Sequence, residues 1–128
     1  MNLLLDTHSF LWFLDGSIKL SPKARELIED QKNAKLLSVA SLWEIGIKMS
    51  LGRLSFANSF EEFIPRQIEM NGFVLLPLRI AHIAKVASLP FHHRDPFDRL
   101  LIAQCIVEEL SLVSIDLAFD KYSACRLW

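Results

Sequence analysis

The sequence predicts an α/β fold, a sandwich in which a parallel sheet of about four to five strands is flanked by helices. Short apolar runs recur along the chain, and helical patterns fill the intervals between them. Stop signals such as Gly16, Gly52 and the Asn71-Gly72 pair separate these segments. Strands that alternate with helices favour parallel pairing, because each helix carries the chain back to the same end of the sheet.

Four apolar runs are typical of strands buried in a parallel sheet. The first, from Met1 to Leu5, ends at once in Asp6, although periodicity alone leaves a helix open for so short a run. The others cover residues 35–39, 73–76 and 112–115. The tail, residues 126–128, is interpreted as a marginal edge strand.

Helix signals occupy the intervals. Ser21-Pro22 and Asp95-Pro96 each combine an N-cap residue with proline at the first helical position. Ser59 and Glu62 have the spacing of a capping box, and Pro65 would kink the helix that follows or shift its start. The other predicted helices cover residues 9–14, 40–50, 79–87 and a short segment that includes Phe119 and Tyr122.

Length and composition limit the class of protein. The 128 residues predict a single domain over 1–128, and a hydrophobic content of 52% is enough for a core. The formal net charge of −1 means that a nucleic-acid partner must be attracted by local clusters or by metal. Cys105 and Cys125 are expected to be small buried hydrophobes, consistent with a reducing cytoplasm. The start of the chain has neither a basic leader nor a membrane span, so no membrane association is expected.

Acidic residues follow two of the predicted strands and begin two of the predicted helices. Asp6 and Asp116 end apolar runs, and parallel strands place both on one edge of the sheet. Glu44 lies early in the helix after the second strand and therefore begins on the same side. The sequence does not determine on which side of the sheet Asp98 lies, because its helix follows a loop rather than a strand.

Structural explanations compete with a functional one. An acid in the first turn of a helix is stabilised by about 0.3–1 kcal/mol by the helix dipole, which explains Asp98 as well as a functional role does. Asp95 fits an N-cap. Glu44 lies in a mostly apolar helix and is harder to explain by a structural role alone. Asp6 and Asp116 are harder still, since an unpaired carboxylate beside a buried strand costs several kcal/mol.

Four carboxylates at one edge would repel each other, by roughly 4 kcal/mol per pair at 4 Å and an effective dielectric constant of ~20. The sequence places no lysine or arginine beside Asp6 or Asp116. A divalent metal is then the simplest counter-ion, and oxygen ligands select Mg²⁺ or Mn²⁺ over Zn²⁺. A carboxylate-bound Mg²⁺ can orient a water for attack on a phosphodiester, which predicts hydrolysis of such bonds.

Four sequence motifs carry a resemblance to a known family: LLLDTH at the start, SLWEIGIK around Glu44, DPFDRLLIAQ around Asp98, and SIDLAFDKY around Asp116. In this order and at these intervals they resemble the acidic motifs of the PIN-domain family, most closely the VapC-type toxins of bacterial toxin–antitoxin pairs. The resemblance covers essentially the whole chain.

It implies a PIN-like three-layer sandwich, a metal-dependent endoribonuclease acting on RNA, a homodimer, and inhibition by a cognate antitoxin. Carried over by position, the metal-binding acids are Asp6, Glu44, Asp98 and Asp116. Thr7 and Ser114 match small hydroxyl positions beside two of them.

The remaining candidates have two interpretations each. Asp95 is interpreted as a cap, with an outer-shell role at the metal as the alternative. Arg94 and Arg99, with His92 and His93, form a positive cluster that either holds RNA phosphates or is an ordinary solvated loop.

Two other functions compete with the nuclease. The first is a non-catalytic interaction module whose acids bind basic partner segments. The second is an aspartyl phosphatase, which is disfavoured because no second acid lies two positions after Asp6. The aromatic residues near the start and Trp43 are mostly assigned to the core, with one face left as a groove for an antitoxin helix.

Overall fold

A five-stranded sheet, parallel throughout, forms the centre of the computed structural model, which describes residues 1–128. The strand order is β3-β2-β1-β4-β5, so the first strand of the chain is central. The strands are β1 (Asn2–Leu5), β2 (Ala34–Ser38), β3 (Phe73–Leu76), β4 (Ser111–Val113) and β5 (Cys125–Leu127). The predicted parallel α/β fold is confirmed, and the tail is a paired edge strand.

Six α-helices and one 3₁₀ helix connect the strands. They are α1 (Thr7–Asp15), α2 (Pro22–Glu29), α3 (Val39–Ser50), α4 (Phe60–Met70), α5 (Ile80–Ser88), α6 (Pro96–Glu108) and the 3₁₀ helix Leu117–Lys121. Helix α1 begins two residues earlier than predicted, because Asp6 caps it by accepting the Ser9 N–H at 2.8 Å. Gly16, in the left-handed region at φ 64°, ends the helix as predicted.

Helix α4 differs from its prediction in two respects. Ser59 is at the N-cap position but its side chain makes no capping hydrogen bond, so the predicted capping box does not form. Pro65 lies inside the helix and does not shift its start, which stays at Phe60. Ile64, the residue before Pro65, is buried in the core, so the helix packs on the sheet although proline cannot donate a backbone hydrogen bond.

The core has two halves, one on each face of the sheet. Alternate residues of a strand point to opposite faces. Leu3 and Leu5 of β1 accordingly pack in a cluster with residues of α1, α2, α3 and α4, whereas Leu4 packs with α6 and the 3₁₀ helix. Because helices cover both faces, the architecture has three layers.

The two cysteines differ in environment. Cys105 is buried in α6, as expected, and burial raises its pKa to about 12. Cys125 is exposed on β5, so the expectation that both are buried is wrong for this residue. The strand that carries Cys125 has three residues and lies at the edge of the sheet, so few neighbouring residues cover its side chains, which explains the difference. None of the helices combines the length and the apolar character needed to cross a membrane.

Two isoleucines of opposite exposure test the assignment of the core. Ile28 is fully buried and Ile18 is 99% exposed. We expect Ile28→Ala to lower the free energy of unfolding by about 2–5 kcal/mol, since it removes buried methylenes and leaves a cavity. Ile18→Ala, the same substitution at the surface, should change it by less than about 0.5 kcal/mol. Urea unfolding measures both, and equal effects would contradict the packing described.

Candidate metal centre

The four predicted acids converge on the carboxyl edge of the sheet. Asp6 follows β1 directly, and Asp116 lies just beyond β4, the strand beside it. Glu44 lies on α3, which begins where β2 ends, and Asp98 lies in the first turn of α6. Burial raises the pKa of Asp98, and the charges of Asp95, Asp6 and Glu44 add to this rise.

Asp6 is held by hydrogen bonds from two elements. The residue is 5% exposed, and one carboxylate oxygen accepts the Ser9 N–H at 2.8 Å. The other accepts the Ser114 hydroxyl at 2.6 Å. The same hydroxyl oxygen accepts the Asp116 N–H at 3.1 Å. Ser114 therefore links the two strand-end acids, and its small side chain lets the strands bring them close.

Glu44 is oriented by one hydroxyl and neutralised by one amine. Thr7 donates its hydroxyl to Oε1 at 2.7 Å, and the Lys48 ammonium lies 3.1 Å from Oε2. Lys48 is one helical turn after Glu44, so this pair forms within α3. Glu44 thus has a cationic partner of its own, unlike Asp6.

His93 lies between Asp98 and Asp116. Its Nε2 is 2.9 Å from Oδ2 of Asp116 and 3.1 Å from Oδ2 of Asp98. One potential ligand atom from each of these residues lies within 4.8 Å of the others. The sequence predicts His93 only in a positive loop cluster, and it predicts oxygen ligands alone around the metal. The sequence carries no signal for this contact, because the loop path determines it.

Asp98 and Asp116 have opposite electrostatic environments. Burial, together with the charges of Asp95, Asp6 and Glu44, raises the pKa of Asp98 to about 7, although His93 opposes the rise. Burial also opposes ionisation of Asp116, but the Ala118 N–H, His93 and Arg126 outweigh it and lower the pKa of that carboxyl below its ordinary value. The expectation that no arginine lies beside Asp116 is therefore wrong.

Asp95 is the N-cap of α6. One of its carboxylate oxygens accepts the Phe97 N–H at 2.8 Å and the Asp98 N–H at 3.2 Å. The capping interpretation agrees with these contacts. Its negative charge also acts on Asp98, so the cap contributes to the electrostatics of the site.

Arg99 does not lie on the acidic surface. It is 6% exposed, and its guanidinium donates to the carbonyls of Pro90, Val86 and Leu89 at 2.9, 3.2 and 3.3 Å. These carbonyls lie at and just after the end of α5, where a cation also interacts favourably with the helix dipole. Neither interpretation of Arg99, as a contact for RNA phosphates or as part of an ordinary solvated loop, agrees with this burial, and its contacts are those of a structural residue. Arg94 is exposed.

The residues fit a hard divalent cation. The ligand atoms of Asp98, Asp116 and His93 form the tight cluster, while Asp6 lies beside it through Ser114 and Glu44 acts on it by its charge. Lys48, His93 and Arg126 compensate these carboxylates only in part. Burial is the main cause of the raised pKa of Asp98, and the charges of Asp95, Asp6 and Glu44 add to it, so a cation bound here would offset both effects. Oxygen donors of this kind select Mg²⁺ or Mn²⁺.

Comparison with known proteins identifies the family. The family model of the PIN domain matches residues 3–124. The chain belongs to the PIN domain family. Ribonuclease VapC16 of Mycobacterium tuberculosis is 34% identical over 62 residues, which are 48% of this PIN domain chain and 44% of that protein. The chain thus matches less than half the length of this curated relative.

Solved structures support the fold of this PIN domain. VapBC2 from Rickettsia felis, bound to a DNA fragment from their promoter, is similar with a TM-score of 0.72 at 14% identity, over 99% of this chain and 98% of that chain. FitAcB from Neisseria gonorrhoeae has a TM-score of 0.62 at 16% identity, over 98% of this chain and 96% of that chain. At these identities the similarity establishes the fold alone. The expected PIN-like sandwich and the resemblance to VapC-type proteins are confirmed.

The two arginines beside the centre should differ in their effect on stability. Arg99→Gln leaves buried carbonyls without donors, and we expect it to lower the free energy of unfolding by about 2–4 kcal/mol. Arg94→Gln, the same change at an exposed position, should change it by less than about 0.5 kcal/mol. Urea unfolding compares them, and a neutral Arg99→Gln variant would restore Arg99 as a surface residue.

The pKa of Asp98 predicts a pH dependence of stability in metal-free protein. With a folded pKa of about 7 against an ordinary value of 3.8, the folded state binds more protons than the unfolded state between these pH values. The contribution of Asp98 to stability therefore falls as pH rises from about 4 to about 7 and is constant above that range. Asp98→Asn should gain stability over the wild type across this range.

Urea unfolding in EDTA at several pH values checks this prediction. The difference between Asp98→Asn and the wild type should widen from pH 4 to pH 7. Asp15→Asn, at an exposed acid, serves as the matched control. A difference between Asp98→Asn and wild type that stays the same at every pH would contradict the proposed environment of Asp98.

Proposed function

We propose that this PIN domain is a Mg²⁺- or Mn²⁺-dependent endoribonuclease of VapC type, active in the cytoplasm and inhibited by a cognate antitoxin. The observation that carries the proposal is the convergence of four acids from separate segments at one sheet edge, where burial, with the charges of Asp95, Asp6 and Glu44 added to it, raises the pKa of Asp98 to about 7. A purely structural set of acids has no reason to be brought together at this electrostatic cost. The name of the Mycobacterium tuberculosis relative, a ribonuclease, agrees with the proposal.

Asp6, Asp98 and Asp116 would hold the cation, with Glu44 completing the set. Thr7 and Ser114 fix the rotation of Glu44 and Asp6 through their hydroxyl groups. When bound, the cation would supply an activated water and positive charge at the scissile phosphate. Asp98 would release its proton on binding, because a nearby cation stabilises the carboxylate.

Substrate attraction would come from groups around the acids, because the chain has no overall positive charge. Arg94 is exposed on the loop that precedes α6 and would contact an RNA phosphate. Such a contact positions the backbone without reading sequence. Lys48 would contribute to the electrostatics through Glu44 rather than through the substrate.

The antitoxin would cover the aromatic surface beside the acids. Trp43 is 63% exposed, on the helix that carries Glu44, and packs edge-on against Phe97 next to Asp98. An amphipathic segment on these rings could deliver a basic side chain to the acids, as Lys48 already does within the chain. We also propose that the toxin is a homodimer, as the family resemblance implies.

A binding module whose acids accept basic partner segments is the second candidate function. The Glu44–Lys48 pair favours it, because it shows that the edge accommodates an ammonium group. An RNA cleavage assay distinguishes the two candidate functions, since a binding module would leave RNA intact in the presence of Mg²⁺.

Substitution of the acids tests the nuclease. We expect Asp6→Asn, Asp98→Asn and Asp116→Asn each to lower RNA cleavage by at least about a hundredfold, since each removes a charged ligand. Asp15→Asn removes one negative charge from an exposed position and should leave cleavage unchanged. Gel analysis of RNA incubated with antitoxin-free protein measures the effect.

Metal dependence is tested in the same assay. EDTA should abolish cleavage, and added Mg²⁺ or Mn²⁺ should restore it. Cleavage that survives both EDTA and the acid substitutions would reject the proposed function, and circular dichroism of each variant shows that it is folded.

A further inference from the structure

His93 is a residue of this site that the acidic motifs do not account for. Its imidazole makes contacts on several sides. The ring stacks on Phe119 with centroids 5.5 Å apart and planes 24° apart, and Phe119 is fully buried. Nδ1 accepts the Asp95 N–H at 3.2 Å. Nε2 contacts the carboxylates of Asp98 and Asp116.

The backbone of the His93 loop is also anchored. The Tyr122 hydroxyl accepts the N–H groups of His92 and His93 at 3.0 and 2.9 Å. It donates its own proton to the Pro90 carbonyl at 2.8 Å. Tyr122 follows the 3₁₀ helix that stacks Phe119 on the ring, so a single segment holds both the loop and the imidazole. The ring is held in one orientation before any ligand arrives.

The contact at Nδ1 determines what Nε2 does. A backbone N–H can only donate, so Nδ1 must accept and carries no proton. The proton of the neutral ring is then on Nε2, where it is shared between Asp116 at 2.9 Å and Asp98 at 3.1 Å. A protonated Nε2 cannot also ligate a metal, so the geometry favours a donor over a ligand.

We propose that His93 is a positioning residue, whose Nε2–H holds the carboxylates of Asp98 and Asp116 together at the spacing from which both reach one divalent cation. This inference rests on the proposed function. Asp98 comes from a helix and Asp116 from the end of a strand, so no shared element fixes their separation. Their negative charges would otherwise drive the two side chains apart.

Binding of Mn²⁺ to the purified protein, measured by calorimetry and by electron paramagnetic resonance, tests the inference. His93→Phe keeps a ring to stack on Phe119 but removes the donor. We expect it to weaken Mn²⁺ binding by about 10–100-fold, the usual cost of losing a group that orients a metal ligand. His93→Gln places an amide N–H near the position of Nε2 and should recover most of the affinity.

His92→Phe is the matched control, since it makes the same change at the neighbouring exposed position and should leave Mn²⁺ affinity unchanged. Unchanged or tighter binding by folded His93→Phe would overturn the inference, the latter by showing that His93 competes with the metal. If the wild type itself binds no Mn²⁺, the proposed function fails, and the result is thereby distinguished from failure of the His93 inference alone.

A measurement on the wild type covers the case in which His93→Phe does not fold. Long-range proton–nitrogen correlation spectra report which ring nitrogen of His93 carries the proton. The neutral ring protonated at Nε2 should be present without Mg²⁺ and should persist when Mg²⁺ saturates the site. A proton on Nδ1, or loss of the Nε2 proton on saturation, would show that His93 is a ligand and would overturn the positioning role.

Discussion

Repulsion between carboxylates that the backbone forces together is the constraint on which this structure depends. The sheet order places β1 beside β4, so Asp6 and Asp116 leave the sheet at the same edge. Chain connections then bring Glu44 and Asp98 to that edge on helices. Each carboxylate is held by local donors, and these donors fix positions without cancelling the charge. The pKa of about 7 at Asp98 reflects its burial first and, in addition, the charges of the neighbouring carboxylates.

The surrounding residues divide into those that hold carboxylates and those that hold the frame. Thr7 and Ser114 hold carboxylates, and His93 contacts two at once. Arg99 and Tyr122 hold the frame, because both bind backbone groups of the loop before α6. This division explains how an acidic site can be rigid without a cation. Hydrogen bonds to the frame and core packing below the edge supply the stability that the charges remove.

The sequence predicts most of the fold, since strand–helix alternation and capping signals are local. It also predicts Asp6 and Asp116, because their place follows from the ends of buried strands. The positions of His93 and Arg99 could not be predicted. The loop that carries His93, and whose carbonyls accept hydrogen bonds from Arg99, is held in place by Tyr122, which lies far along the chain. Arg126 comes beside Asp116 only because β5 pairs with β4. The Glu44–Lys48 pair is different: its spacing of four within a helix was visible in the sequence.

The most direct test of the account is the ionisation of Asp98 itself, followed by carbon-detected NMR of its carboxyl group in metal-free protein and again with saturating Mg²⁺. The account predicts titration at a pKa of about 7 without metal and a large decrease when Mg²⁺ is present. Titration near the ordinary value of 3.8 without metal, or a pKa that Mg²⁺ does not change, would contradict it.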